Sequence, residues 1–249
     1  MRRRPTMEKS EFFSIYKQMF AENGLERYTS EEVMEKFFSL AQIMRETNEK
    51  MNITAITEER EIIARHYIDC LFAAELLPAG ANVLDVGSGG GMPTLPFAIV
   101  RPDITVTALD ATAKKTAYIA ETAAKLGLSN VKTATGRAEE LGRDGAYREK
   151  YDVVCARAVA ALNILLEWCV PFAKKGGLFI AMKGKNAEEE LKTAKNAVEK
   201  LGISLAQRQN ITLHEENGTS TRANFIFIKN EKTAMLYPRA NAQIKKKPL

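Results

Sequence analysis

The sequence contains few cysteines and histidines, and it has no long apolar run. Three cysteines and two histidines occur in 249 residues; there is no C-x-x-C pair and the histidines are far apart, so no zinc site is expected. No apolar stretch reaches the ~18 residues of a membrane span, and the arginines at positions 2–4 precede polar sequence, unlike those of a signal peptide. Cysteines within apolar stretches are typical of a reducing compartment. We therefore expect a cytoplasmic protein without a metal or a membrane contact.

Two common phosphate-binding patterns are also missing from the glycine-rich segment at residues 83–91. Its sequence, VLDVGSGGG, is not followed by the Gly-Lys-Ser or Gly-Lys-Thr of a P-loop. The third glycine of the dinucleotide fingerprint G-x-G-x-x-G would fall on Met92 or Leu95. This absence argues against a nicotinamide-dependent oxidoreductase.

The same segment has an acid ahead of its glycines. Asp85 is followed by Gly87, Gly89 and Gly91, and glycine permits positive φ and a close approach of the backbone to a ligand. The order Asp-x-Gly-x-Gly-x-Gly, between an apolar strand and a helix pattern that begins at Pro93, resembles motif I of class I S-adenosylmethionine (SAM) methyltransferases. A carboxylate suits SAM, because SAM has an amino group and a sulfonium but no phosphate.

A second acid ends the next predicted strand. Residues 104–109 alternate β-branched and apolar side chains, and Asp110 follows them, 19 residues after Gly91. In Rossmann-like units an acid at about this distance accepts hydrogen bonds from ribose hydroxyls. A solvated turn carboxylate is the alternative interpretation of this position.

The hydrophobic pattern divides the chain into three regions. Residues 1–78 have helical periodicity and predict an N-terminal helical extension packed on the core, whereas strands alternate with helices over residues 79–230. The last two strand patterns have no helix between them, which predicts an antiparallel hairpin. The predicted fold is the Rossmann-like α/β fold of class I SAM methyltransferases, with a seven-stranded, mostly parallel sheet. Its strands are expected near residues 82–86, 104–109, 131–135, 151–156, 177–182, 203–212 and 223–229.

Positive charge is concentrated at the C-terminus. The chain has a net charge of +5, and residues 229–249 contain six lysines or arginines and one glutamate. A basic tail from residue 231 to residue 249 on an otherwise balanced body favours a polyanionic partner. A tail that only improves solubility is the alternative.

Short motifs along the chain resemble those of the bacterial ribosomal small-subunit methyltransferase family RsmG, also called GidB. The resemblance covers nearly the whole chain from about residue 10. It implies methylation of N7 of a guanine in the 530 loop of 16S rRNA, with SAM as donor and S-adenosylhomocysteine as product. The motifs are Asn52–Ile56, Arg65–Asp69, Leu84–Gly91, Gly136–Glu140, Ala156–Val159, Glu167–Cys169, Met182–Gly184 and Tyr237–Arg239.

The two resemblances also imply site residues, although a salt-bridged surface group is the alternative for each cation at a strand end. Thr94 stands where the family usually has a glycine. The cofactor residues are Asp85, Gly87, Gly89, Gly91, Met92, Asp110, Ala111, Thr112, Ala138, Glu139 and Arg157. Other site residues are expected from their positions and charge. The cations expected to position the substrate follow predicted strands, and they are Arg137, Arg157 and Lys183. The residues expected to bind RNA are one further strand-end cation, Lys185, and basic residues of the tail, Arg239, Lys245, Lys246 and Lys247.

Transfer of a methyl group to guanine N7 requires no general base, because neutral N7 carries a free lone pair. His66 is therefore expected to be a hydrogen-bonded helix residue. Within their apolar segments, Cys155 is expected to be a buried thiol and Trp168 a core side chain.

We expect a monomer that acts on 16S rRNA, in the small ribosomal subunit or a precursor of it. Two alternatives stay open at this point: a SAM-dependent enzyme for a small molecule, and a non-catalytic RNA-binding assembly factor.

Overall fold

A seven-stranded sheet with the order β3-β2-β1-β4-β5-β7-β6 forms the centre of the protein. The computed structural model describes residues 7–249; residues 1–6, which the sequence analysis assigned to the helical extension, lie outside the described residues. Strands β1 to β5 are parallel, and β7 is antiparallel to both of its neighbours. The predicted mostly parallel sheet with a terminal hairpin is confirmed. The strands are β1 (Asn82–Val86), β2 (Thr105–Asp110), β3 (Val131–Thr135), β4 (Tyr151–Arg157), β5 (Ala173–Lys183), β6 (Ile203–Glu215) and β7 (Gly218–Lys229).

Helices cover both faces of this sheet. A π-helical segment, Ile63–Ile68, joins α3 to α4, so that residues 59–74 form one continuous helical stretch. The N-terminal helices are α1 (Lys9–Glu22), α2 (Glu31–Asn48), α3 (Glu59–Ile62) and α4 (Asp69–Ala74). The others are α5 (Thr94–Val100), α6 (Ala113–Lys125), α7 (Ala138–Leu141), α8 (Leu162–Cys169), α9 (Ala187–Thr193), α10 (Lys195–Lys200) and α11 (Asn241–Lys246).

The N-terminal helices belong to the same hydrophobic core as one face of the sheet. Phe37 of α2 and Tyr67 of the π-helical segment are fully buried, with ring centroids 4.5 Å apart. They join a cluster that includes Val106 of β2 and Val153 of β4. A second cluster on the opposite face contains residues of α8 and α10 and the C-terminal Leu249. The sheet is therefore buried on both faces, as parallel sheets require.

The sequence pattern predicts single helices over residues 161–173 and 186–201, and both differ from those in the structure. The helix expected over residues 161–173 ends at Cys169, and a 3₁₀ turn follows, because Pro171 has no N–H to continue the α-helical hydrogen bonds. The helix expected over residues 186–201 is divided at Ala194, which has φ −90° and ψ 0°. Both resulting short helices pack against α8.

The strand order places the site. The chain passes from β1 to β2 and β3 on one side of β1 and then crosses from β3 to β4 on the other side, so the strand order reverses at β1. Open α/β sheets bind ligands in the crevice at the carboxyl ends of the strands next to such a reversal. Asp85 in β1, Asp110 at the end of β2 and Arg157 at the end of β4 therefore lie at this crevice. Within residues 7–249, no helix has both the length and the apolar character needed to cross a membrane.

Candidate active site

The glycine loop between β1 and α5 turns back beneath the end of β2. The N–H of Gly87 donates to the carbonyl of Leu109 at 2.8 Å. Gly87, Gly89 and Gly91 have φ of 76°, 53° and 85°, values that residues with a Cβ rarely adopt. A Cβ on Gly87 would also lie 2.8 Å from the side chain of Val159. The loop therefore needs glycine for its backbone conformation and for its packing against the segment after β4.

Asp110 anchors this loop with both carboxylate oxygens. Its Oδ2 accepts a hydrogen bond from the N–H of Gly89 at 3.0 Å, and its Oδ1 accepts one from the N–H of Thr112 at 2.8 Å. The Nζ of Lys115 is 4.0 Å from Oδ2. A carboxylate has about four lone-pair sites, so Asp110 retains capacity for two further donors. That capacity fits the two hydroxyls of a ribose.

Asp85 lies below the loop, and its carboxylate is buried. Its Oδ2 accepts hydrogen bonds from the Thr94 hydroxyl at 2.7 Å and from the Thr94 N–H at 3.3 Å. Its Oδ1 is buried with no hydrogen-bond partner among residues 7–249. Burial raises the pKa of Asp85 to about 6, although the hydrogen bonds from Thr94 oppose the shift. Thr94, which replaces the glycine usual in the resembled family, therefore holds this acid in place.

A cavity of about 390 Å³ opens between the glycine loop, the end of β4 and the segment before α3. We call it the glycine-loop cavity. Its volume is within the ~300–1,000 Å³ typical of small-molecule sites. Ser88 also lines it, and the buried Ser88 Oγ has no partner among the described residues. Unused acceptors and a free hydroxyl make the cavity suitable for the nucleoside and amino-acid groups of SAM. Five residues predicted from the sequence lie in its wall: Gly87, Gly89, Met92, Asp110 and Arg157.

The other predicted cofactor residues lie outside this wall. Asp85 is beneath the glycine loop and Gly91 packs against Leu95. The remaining four follow β2 and β3, and their roles in binding stay predictions. They are Ala111, Thr112, Ala138 and Glu139.

His66 closes the base of the cavity and is not suited to act as a base. Its Nε2 lies 2.8 Å from the Thr54 hydroxyl oxygen, and its Nδ1 lies 3.3 Å from Nη2 of Arg157. Burial, and then the charge of Arg157, lower the pKa of His66 to about 3. The imidazole is therefore neutral at pH 7, with both nitrogens engaged by protein groups.

Besides His66, three residues of the helical extension line the cavity, and none of them is predicted as a site residue from the sequence. They are Met44, Ile53 and Thr54. The segment around Thr54 is too short for a periodic pattern, and its presence among the family-like motifs is the sequence signal that could have identified it. Its position depends on Asn48, whose Oδ1 accepts hydrogen bonds from the N–H groups of Ile53 and Thr54.

A larger cleft of about 990 Å³ adjoins the cavity at the carboxyl ends of β4 and β5 and the amino-terminal half of β7, which runs antiparallel to β5. We call it the strand-end cleft. Arg157, Ala158 and Val159 line both spaces, so the cavity and the cleft adjoin at the segment after β4. Lys183 lines only the cleft. This arrangement brings a small-molecule site and a larger concave surface together at one edge of the sheet.

Lys183 is committed to contacts within the protein. Its Nζ donates to the carbonyl of Ala160 at 2.6 Å and lies 2.7 Å from Oε2 of Glu190. The same Glu190 oxygen accepts a hydrogen bond from the N–H of Leu162 at 2.9 Å. Lys183 and Glu190 therefore fix the segment between β4 and α8, which forms one wall of the cleft.

Arg157 is likewise held by other parts of the chain. Its Nη1 donates to the carbonyl of Arg65 at 2.8 Å and to Oδ2 of Asp69 at 3.2 Å. Arg222 of β7 reaches the other oxygen of Asp69 at 3.3 Å, and Arg65 pairs with Glu215 of β6 at 2.7 Å. This network ties the π-helical segment to the end of β4 and to the terminal hairpin.

The remaining predicted cations are not among the residues that line the cavity or the cleft. Arg137 and Lys185 are exposed. Arg239 binds the fully buried carboxylate of Glu167 on α8, with Nε at 2.8 Å and Nη2 at 2.7 Å. Arg239 also donates to the carbonyl of Lys247 at 3.1 Å. The predicted tail therefore docks on α8, with exposed side chains at Lys245, Lys246 and Lys247.

The cysteines are not suited to nucleophilic catalysis. All three are buried thiols. Burial raises the pKa of Cys70 to about 12 and the pKa of Cys155 well above its usual value. They are therefore protonated at neutral pH, which argues against a mechanism that needs a thiolate. Within the described part of the chain, no three His, Cys, Asp or Glu residues form a group that could hold a metal ion.

The fold is similar to that of two solved structures with related ligands. TYW2 of M. jannaschii in complex with AdoMet superposes with a TM-score of 0.50 and 18% identity, over 65% of this chain and 76% of that chain. TYW2 of P. horikoshii in complex with MeSAdo gives a TM-score of 0.51 and 15% identity, over 66% of this chain and 62% of that chain. At these identities the similarity concerns the fold, and it confirms the predicted fold class.

Sequence comparison identifies the family. The GidB profile, described as rRNA small subunit methyltransferase G, matches residues 33–218. Ribosomal RNA small subunit methyltransferase G of Clostridium perfringens (strain 13 / Type A) is 40% identical over 242 residues, which is 96% of this chain and 99% of that protein. The protein of the same name from Lactobacillus delbrueckii subsp. bulgaricus is 42% identical over 206 residues, which is 81% of this chain and 85% of that protein. The chain therefore belongs to the GidB family of rRNA small subunit methyltransferases.

Proposed function

We propose that this protein transfers a methyl group from SAM to N7 of a guanine in the 530 loop of 16S rRNA, guanine 527 in the usual rRNA numbering. The observation that carries the proposal is the shared wall of the glycine-loop cavity and the strand-end cleft. A cofactor in the cavity and a base in the cleft would meet beside Arg157, Ala158 and Val159, which border both spaces. Family membership supports ribosomal RNA as the substrate.

The residues around this wall support a reaction without a general base. When bound, SAM supplies an electrophilic methyl group on its sulfonium. Guanine N7 has a free lone pair, so no proton must leave it before transfer. The one histidine at the site has a pKa lowered to about 3 by burial, and protein groups occupy both of its nitrogens. The role left to the chain is alignment, which can contribute up to about 7–11 kcal/mol in model systems.

The cofactor would be held by groups whose hydrogen-bonding capacity is unused. Asp110 would accept the ribose hydroxyls, and the glycine loop would lie along the chain that joins the ribose to the amino acid. Ser88 Oγ is a further polar group available in the cavity wall. No proton transfer is assigned to any of these residues.

The guanine must reach the cleft with its N7 lone pair free. An A-form major groove is too narrow for protein side chains, so the target base must be unpaired or turned out of its helix. A donor on N7 would block attack, so any cation near the base should contact O6 or a phosphate instead. Arg137 and Lys185, which are exposed, are available for such contacts. The expected partner is 16S rRNA, free or in the small subunit, and the expected active form is a monomer.

Methyl transfer to synthetic RNA tests this proposal. A 16S rRNA fragment that contains the 530 loop is incubated with SAM labelled in its methyl group, beside the same fragment with 7-deazaguanosine at position 527. The natural fragment should be labelled and the 7-deaza fragment should not, because the substitution replaces N7 by C–H and leaves the pairing edge intact. Equal labelling of both fragments would contradict the N7 assignment.

Two further measurements separate the alternatives. Calorimetry with SAM and S-adenosylhomocysteine asks whether the protein binds the cofactor, and a non-catalytic assembly factor would bind RNA without binding either. A metabolite extract offered in place of RNA asks whether a small molecule is the acceptor. If intact small subunits or their precursors are labelled and bare RNA is not, the substrate is the assembled particle.

A further inference from the structure

Thr54, in the segment between α2 and α3, belongs to a chain of hydrogen bonds that ends in a guanidinium. Its hydroxyl oxygen lies 2.8 Å from Nε2 of His66, and His66 Nδ1 lies 3.3 Å from Nη2 of Arg157. The N–H of Ile56 donates to the same Thr54 oxygen at 3.0 Å. Because Thr54 and His66 both line the glycine-loop cavity, this chain reaches the space assigned to the cofactor.

The direction of each hydrogen bond follows from Arg157. A guanidinium has donors and no acceptor, so His66 Nδ1 must accept. The neutral imidazole therefore carries its proton on Nε2, an assignment that rests on the hydrogen-bond network. Nε2–H then donates to the Thr54 oxygen, which also accepts from Ile56. With both lone pairs of that oxygen used, the Thr54 hydroxyl can only donate, and its proton is available to the cavity.

The strand order indicates which part of SAM this donor faces. Asp110, the ribose acceptor of the proposed function, ends β2, and Arg157 ends β4, with β1 between them. Adjacent strands are about 4.8 Å apart, so the two strand ends are separated by roughly 10 Å. Thr54 is joined through His66 to the β4 end. The amino-acid part of SAM, which extends away from the ribose, would therefore reach Thr54.

We propose that the Thr54 hydroxyl donates a hydrogen bond to the α-carboxylate of SAM, so that this segment of the helical extension completes the cofactor site. The inference rests on the proposed function, since it takes SAM as the ligand of the glycine-loop cavity. A carboxylate accepts from such a donor more strongly than a neutral group does. Met92, Arg65, Asp69 and His66 already use four of the five N–H donors of Arg157, so at most one remains for the same carboxylate.

Calorimetric binding of two ligands tests this inference. The ligands are SAM and decarboxylated SAM, which differ only in the α-carboxylate. Thr54→Val should raise the Kd of SAM about tenfold to a hundredfold, which is the range for loss of a hydrogen bond to a charged group. Its effect on decarboxylated SAM should be less than about twofold. Thr54→Ser, which keeps the hydroxyl, should bind both ligands as the wild type does.

Each other result has a distinct meaning. Failure of the wild type to bind SAM would remove the proposed function itself, whereas unchanged SAM binding by a folded Thr54→Val protein would overturn only this inference. Equal losses for both ligands would show that the hydroxyl maintains the cavity and does not contact the carboxylate. Unchanged SAM affinity with a raised KM for RNA would show that the donor faces the base. If Thr54→Val does not fold, Thr54→Ala gives the same comparison.

Discussion

The glycine-loop cavity and the strand-end cleft adjoin each other, but their polar groups are satisfied in different ways. In the cavity, backbone N–H groups fix Asp110 and leave part of its accepting capacity unused, and Ser88 Oγ has no partner among residues 7–249. In the cleft, Lys183, Arg157 and Arg222 are each paired with a carboxylate. The cavity therefore has unused hydrogen-bonding groups, whereas the charged groups of the cleft already stabilise the protein.

This difference separates two tasks. A small ligand can enter the cavity without breaking a contact within the protein. A phosphate could take Lys183 or Arg157 only by displacing Glu190 or Asp69. We infer that the paired cations shape the cleft, and that RNA phosphates contact the exposed cations around it. The predictions below test this contrast.

Replacement of Arg157 should cause the largest change. Arg157→Met removes four contacts from a largely buried guanidinium, those with Met92, Arg65, Asp69 and His66. Asp69 then keeps Arg222, at 3.3 Å, as its cationic partner among residues 7–249. Breaking a buried ion pair costs about 3–5 kcal/mol, and we expect a decrease of that size in the free energy of unfolding. Chemical denaturation of the purified variant measures it.

An exposed ion pair provides the control for Arg157. Lys174 and Asp152 lie 2.7 Å apart with nearly half of each side chain exposed, so Lys174→Met should cost no more than about 1 kcal/mol. The double variant Arg157→Met, Asp69→Asn should recover part of the stability, because it removes a buried carboxylate that has lost one of its two cations. If Arg157→Met costs as little as Lys174→Met, Arg157 is free for substrate and the contrast between cavity and cleft fails.

The sequence was sufficient to predict the cavity because that site is built from local patterns. Asp85, with the glycines after it, and Asp110 lie at the carboxyl ends of two neighbouring strands. Parallel strands bring such ends to one edge of the sheet. The spacing could not show that Asp85 lies below the loop, because that depends on its contact with Thr94. Nor could it place Thr54 in the cavity wall, since a short segment between helices has no periodicity to indicate its position.

The cleft and the tail were harder to predict because their contacts join distant parts of the chain. Arg65 meets Glu215 across 150 residues, and Arg239 meets Glu167 across 72. A cation at a strand end has the same sequence signature whether it faces a phosphate or an internal carboxylate. The buried Glu167 on α8 could have indicated a partner for Arg239, since a fully buried carboxylate requires one.

Asp85 and His66 should give opposite dependences of stability on pH. Burial raises the pKa of Asp85 to about 6, so its contribution to stability falls as pH rises from 3.8 toward 6. Asp85→Asn should therefore gain stability relative to wild type across this range, by up to about 3 kcal/mol. Urea denaturation at intervals from pH 4 to pH 7 measures the difference between the two proteins.

His66 provides the internal comparison for Asp85. Burial lowers the pKa of His66 from 6.5 to about 3, so its contribution is fully present above pH 6.5 and is lost as pH falls. His66→Gln should therefore lose stability relative to wild type as pH rises, the reverse of Asp85→Asn. If the difference in stability from the wild type changes with pH in the same direction for both variants, the assigned burial of Asp85 or of His66 is contradicted.

Asp110→Asn should weaken SAM binding with little effect on folding. The substitution removes the charge that accepts the ribose hydroxyls, and the expected increase in the SAM Kd is about tenfold or more. Calorimetry gives the Kd, and thermal melting reports the fold. Glu121→Gln, at an exposed acid on α6, is the matched control and should leave the Kd unchanged. An unchanged Kd in Asp110→Asn would remove Asp110 from the cofactor site.

The smallest effect is expected at the docked tail. Truncation is a poor test, because Ile244 and Leu249 are buried and their loss would damage the core. The triple variant Lys245→Gln, Lys246→Gln, Lys247→Gln keeps the docked helix and removes three exposed charges. It should lower affinity for a 16S rRNA fragment severalfold at low salt, because phosphate contacts release counterions.

The salt dependence shows whether these lysines contact phosphates. Each lost contact with single-stranded RNA should reduce the slope of log K against log salt by about 0.7. Lys17, Lys36 and Lys125 lie on α1, α2 and α6, whose buried residues pack on the opposite face of the sheet. Changing these three to Gln removes the same charge away from the tail and should leave the slope nearly unchanged. If both triple variants lose affinity equally, net charge attracts the RNA and the tail is not a specific contact.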